Sequence, residues 1–170
     1  MKIVILGGRR AGKTAFLRSI SAPLPSALLG RADLMGLDAV DFVRVWLDEE
    51  LTLHLVAAGG PAFPSTWHRF GHGAVGAVVL TDNRRLADAY GAIDFITGQG
   101  LPYVVAVNRF NRQRCARLAE VRAALNVGAS VPVVACDPRV PASARRTLIA
   151  LVEHTIDEQA SHSRRLSFGL

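Results

Sequence analysis

Apolar runs of strand length alternate along the chain with stretches of helical periodicity. The run "KIVIL" (2–6) is short, β-branched and bounded by glycine, as a buried strand should be. "AVDFVRVWL" (39–47) and "LTLHLVA" (51–57) alternate apolar and polar positions, with "DEE" between them as a turn, and predict an antiparallel hairpin. "GAVVLT" (76–81) and "YVVAVN" (103–108) are continuous apolar runs, the pattern of strands covered on both faces, and "VPVVAC" (131–136) is a sixth strand. Helices fit 13–21, 84–98, 114–125 and 141–158, the last with Leu148, Leu151, Val152 and Ile156 on one face. This order predicts an α/β fold with a six-stranded sheet, five strands parallel and one antiparallel, and helices on both faces. The domain is expected to span 1–156. The basic, serine-rich tail 157–170, "DEQASHSRRLSFGL", is expected to be disordered.

At 170 residues, half of them hydrophobic, the chain suits one globular domain able to bury roughly two-thirds of its unfolded surface. The net charge of +6 comes from arginines scattered along the sequence. No interleaving of basic and aromatic residues suggests a base-stacking platform, so nucleic-acid binding is not expected. The charge is compatible with acidic partners or anionic headgroups, which allows at most peripheral membrane association. "MKIVILGG" is too short for a secretory leader, and no apolar run reaches the roughly 18 residues of a membrane span. Cys115 and Cys136 lack metal-site spacing. A cytoplasmic protein is expected.

The chemistry concentrates in "GGRRAGKT", Gly7 to Thr14, which matches G-x-x-x-x-G-K-[ST] between a strand and a helix. Gly7 and Gly12 would let the backbone fold tightly, so that N–H groups of Gly8, Arg9, Arg10 and Ala11 point at phosphate oxygens. Lys13 would reach the β- and γ-phosphates, and the Thr14 hydroxyl would ligate Mg²⁺. The chain has only two lysines, Lys2 and Lys13, among many arginines, and one stands where a compact ammonium is wanted. A small P-loop kinase of the shikimate type would carry glycine at position 10 and an arginine-bearing lid late in the chain; position 10 is Arg10 and no such lid follows. The antiparallel second strand favours a Ras-like G domain.

The stretch "GAVGAVVLTDNRRLADAYGAIDFITGQGLPYVVAVNRF", with "VPVVACDPR" and "LIALVEH", resembles the conservon-type Ras-like GTPases of actinobacteria over residues 1 to about 156. The resemblance implies a nucleotide-binding, G-protein-like signalling component. It would bind GTP/GDP or ATP/ADP with Mg²⁺ and work beside a roadblock/LC7-type protein and a sensor-kinase-like membrane protein at the inner face of the membrane. The alternative is a pseudo-GTPase scaffold that works without nucleotide. Base recognition would fall on Asn108, Arg109 and Asn111 of "NRFN", where G domains read N-K-x-D, and on Cys136 and Asp137, near the usual S-A-K. An amide at Asn111 presents a donor to a donor on guanine, so guanine preference should be weak. In "AAGGP" (57–61) the switch II aspartate is absent, Gly60 keeps the glycine whose N–H meets the γ-phosphate, and Pro61 stands where a glutamine orients water. Residues 22–38 offer no switch I threonine. No catalytic residue is therefore assigned, and any hydrolysis should be slow. His68 and His72 are candidate replacement bases, and Phe63, Trp67 and Phe70 a candidate docking patch.

Overall fold

A computed structural model describes residues 1–34, 37–57, 71–109 and 117–167. Its centre is β1 (Lys2–Leu6), in which Ile3, Val4, Ile5 and Leu6 are all buried. A strand apolar at every position has to be covered on both faces. Beside it lie β4 (Thr52–Ala57) and β5 (Gly76–Asp82), both parallel to it. β6 (Tyr103–Asn108) and β7 (Val133–Cys136) continue the parallel order outward. On the other side β3 (Leu37–Trp46) runs antiparallel to β4, and β2 (Ala27–Leu34) antiparallel to β3. The Asp48 carboxylate closes the β3–β4 turn by accepting from the Glu50 and Leu51 N–H groups at 2.9 and 2.6 Å.

The sheet therefore has seven strands in the order β2-β3-β4-β1-β5-β6-β7, not six. The additional strand, β2, lies in the segment read from sequence as a switch loop. Gly30 interrupts its pattern, and it has a packing reason: a Cβ there would come within 2.4 Å of the ring of Phe42, its cross-strand partner.

Helices α1 (Lys13–Ser21) and α4 (Pro141–Ser167) cover one face, where Phe16, Leu17, Ile20, Ala144 and Leu151 meet Ile3, Ile5, Leu55, Val78 and Val104. Helices α2 (Tyr90–Gly98), entered through a 3₁₀ turn at Leu86–Ala89, and α3 (Leu118–Ala124) cover the other; there Ile93, Ile96, Val121 and Leu125 meet Val4, Leu6, Val79 and Val105. The alternation of Ile3 and Ile5 against Val4 and Leu6 assigns each residue of β1 to one core. α4 runs on to Ser167, so the backbone over 157–167 is helical where the sequence suggested disorder. Those of them with described side chains are exposed and read as a polar tail, but Asp157, Glu158, Gln159 and Ala160 are compatible with continuing a helix that Leu151 and His154 anchor. Among the described residues no helix is long and apolar enough to cross a membrane.

Candidate functional site

The Gly7–Thr14 loop leaves the C-terminal end of β1 and turns directly into α1. Gly7 has φ +140°, and a Cβ on it would lie 2.1 Å from the Leu80 carbonyl oxygen of β5, so only glycine fits. Gly12 has φ +106°, and a Cβ there would sit 2.8 Å from Pro138 Cγ and 2.9 Å from Asn108 Nδ2. Between them Arg10 holds a left-handed φ of 61°, a conformation an arginine rarely takes. Arg9 and Arg10 are exposed and border a cavity of about 400 Å³ shared with Thr81, Asp82, Arg84 and Asp88. The Thr81 hydroxyl, buried there, has no hydrogen-bond partner among the described residues. Arg84 is paired to Asp82 at 2.6 Å and Arg85 to Asp88 at 3.0 Å.

Gly12 is the N-cap of α1 and, having no side chain, provides no capping bond; the first turn carries no acidic residue. Among the described residues the helix thus presents its first N–H groups and the positive end of its dipole without a side-chain cap. That is an anion site in waiting. The Lys13 ammonium reaches back to the carbonyl oxygens of Gly7 and Gly8, at 2.8 Å each, leaving one of its three protons for another acceptor. Burial pushes its pKa down to about 8, against the opposing pull of the Asp41 carboxylate.

The Thr14 hydroxyl donates to Asp41 Oδ2 at 2.5 Å. Asp41 was not among the sequence candidates. It lies on β3 in phase with Val43 and Val45, which are core residues, so it is a carboxylate on the inward face of a strand. That phase was the available signal. A hydroxyl and a carboxylate are hard oxygen donors of the kind Mg²⁺ takes, with nucleotide phosphates and water completing its shell. Among the described residues no group of three or more His, Cys, Asp or Glu forms a metal site by itself.

Asn108, at the end of β6, is buried and donates from Nδ2 to the Ala11 carbonyl at 2.8 Å, tying the base-reading loop to the phosphate loop. Its Oδ1 has no hydrogen-bond partner among the described residues. Arg109 is exposed and is held by its backbone N–H on the Cys136 carbonyl, 2.9 Å away. The Cys136 side chain turns away from the site into the core. It is fully buried against Ala144 and Leu151, and burial raises its thiol pKa. Asp137 is likewise engaged: its N–H donates to Ser143 Oγ at 3.0 Å, and its carboxylate takes Arg139 Nη2 at 2.8 Å, which holds it below the usual carboxylate range. Pro138 has no N–H and the Arg139 N–H goes to Asp137 Oδ1 at 3.0 Å, so this turn spends its donors on itself.

Gly60 and Pro61, the aromatics Phe63, Trp67 and Phe70, and His68 fall outside the described residues, as do Asn111 and Cys115. His72 lies at the opposite end of β1 from the phosphate loop: its carbonyl accepts from Lys2 Nζ. The length of that strand, on the order of 15 Å, removes it as a replacement base.

No protein-family model matches the chain, and no curated protein is similar to it in sequence. Its fold superposes on two point-mutant crystal structures of NFeoB from S. thermophilus, each bound to GDP. One gives a TM-score of 0.65 at 17% identity, covering 89% of this chain and 59% of that one. The other gives 0.62 at 16%, covering 89% and 61%. The chain thus spans about three-fifths of the length of those proteins. At this identity the likeness establishes the fold, that of a P-loop GTPase.

Proposed function

We propose that this chain binds a nucleoside di- or triphosphate, GTP/GDP or ATP/ADP, on the Gly7–Thr14 loop and works as a G-protein-like signalling component with little or no hydrolysis of its own. The observation that carries this reading is the uncapped N-terminus of α1, framed by two glycines whose φ angles and contacts exclude a side chain and faced by Lys13. Among the described residues no side chain caps that helix end, and a phosphate meets such an end naturally. Thr14 and Asp41 are the residues that would hold Mg²⁺, which when bound neutralises phosphate charge. The structural neighbours were crystallised with GDP, in keeping with this use of the fold.

Recognition of the base is the weak part of the site. Asp137 and the turn after it are occupied by Ser143 and Arg139, and position 111 is an amide where G domains use a carboxylate. By resemblance the protein partner is a roadblock-type protein seated over the segment carrying Phe63 and Trp67. Chromatography of the nucleotide released on denaturing the purified protein, followed by calorimetric titration with GTP and ATP, tests the reading. Measurable binding of both with less than about tenfold discrimination is expected, since a single well-satisfied pairing is worth about 1–3 kcal/mol. Asn111→Asp should shift the preference toward GTP. Failure of the parent to bind any nucleotide refutes the proposal.

A further inference from the structure

In the G-domain pattern the acidic partner of Mg²⁺ comes from the end of the strand that precedes switch II, and in this chain that position is Ala57. The backbone register shows what lies beside it. β3 and β4 pair Val45 with Leu53, Val43 with Leu55 and Asp41 with Ala57, so the three pairs share one face of the sheet. The inner two pairs are core beneath α1. The third, at the loop end, places a carboxylate next to the residue that lacks one. From there Asp41 Oδ2 accepts the Thr14 hydroxyl proton at 2.5 Å, across 27 residues of sequence. Oδ1 is 3.9 Å from Arg31 Nε, but that side chain is 71% exposed, and an ion pair so long and so wet is weak competition for a metal or its water.

We infer that Asp41 has taken over, from the neighbouring antiparallel strand, the metal-holding role that the end of β4 gives up at Ala57. The inference rests on the nucleotide reading above, because Mg²⁺ needs phosphate oxygens to complete its shell. A threonine whose proton is committed to a carboxylate turns its lone pairs toward a cation. The carboxylate thus fixes the ligand's orientation and adds the negative charge that the neutral Ala57 withholds. This accounts for an aspartate on the inward face of β3, in phase with the core residues Val43 and Val45. A purely structural partner for Thr14 would not need the charge, which identifies the distinguishing measurement.

The affinities of GDP and GTP for the parent and for Asp41→Asn are compared by calorimetry in excess Mg²⁺ and in EDTA. The parent should bind more tightly with Mg²⁺. Asp41→Asn, isosteric at a side chain only 17% exposed, should lose about 10- to 100-fold of that Mg²⁺-dependent gain. Its affinity in EDTA should not fall, since a charge repelling phosphate has been removed. Manganese added to the parent–GDP complex and read by electron paramagnetic resonance should show a bound-ion spectrum that the variant lacks. An unchanged Mg²⁺ gain in Asp41→Asn overturns the inference, and so does an equal loss in Mg²⁺ and in EDTA, the mark of a structural role. Nucleotide binding by the parent with no Mg²⁺ gain sinks the metal role and leaves the nucleotide reading standing. No nucleotide binding in either condition sinks both.

Discussion

Gly12 and Gly91 show how the same substitution takes opposite signs in different surroundings. At Gly12 a methyl group meets Pro138 and Asn108 below 3.0 Å and the backbone is left-handed, so Gly12→Ala combines a clash with about 1–2 kcal/mol of strain. At Gly91, on the exposed side of α2, nothing lies within 4 Å, and Gly91→Ala should stabilise by about 0.5–1 kcal/mol. Thermal denaturation should therefore show a lowered midpoint for the first and a raised one, by about 2–4 °C, for the second. A neutral Gly12→Ala would mean that the loop does not sit against Pro138. The two loop glycines were legible in sequence because the motif's spacing prescribes them. Asp41 was not, because its partner Thr14 is 27 positions away and only the strand register brings them together.

Among the elements, β1 and β3 to β7 were readable because each is a run of apolar or alternating residues with a clear boundary. β2 was hidden by Gly30 and by exposed Leu28 and Leu29, which break the expected inside–outside pattern on a sheet edge. α4 gives the sharper test. From Ile156 onward its described side chains are exposed, so these turns draw little on core packing. Deleting residues 159–170 should reduce the helical circular dichroism signal while leaving the unfolding free energy in urea within about 0.5 kcal/mol of the parent. An unchanged helical signal would show that these turns are not formed in solution.

For the molecule as a whole, the sheet brings the phosphate loop, Asp41 and Asn108 to one edge, at the C-terminal ends of the parallel strands, where open α/β sheets bind ligands. In sequence, other residues stand at the positions where G domains carry their hydrolytic groups. Position 57 is alanine, Pro61 can donate from neither side chain nor backbone, and 22–38 contains no threonine. A single-turnover assay on the isolated protein with GTP or ATP should give a rate at or below about 10⁻³ s⁻¹, the unaided level of a G domain that keeps its glutamine. Partner docking is expected to depend on Trp67 and Phe63: the double substitution Trp67→Ala with Phe63→Ala should weaken capture of a roadblock-type protein without lowering the thermal midpoint. The central claim, a phosphate held by the loop and Lys13, is tested most directly by titrating GDP and GTP into the parent and into Lys13→Ala by calorimetry. Removal of an ammonium held 2.8 Å from two loop carbonyls and aimed along the helix end should cost about tenfold or more in affinity, as loss of a charge-assisted bond of about 1.5–3 kcal/mol requires. Equal affinity of the two proteins for both nucleotides would contradict it.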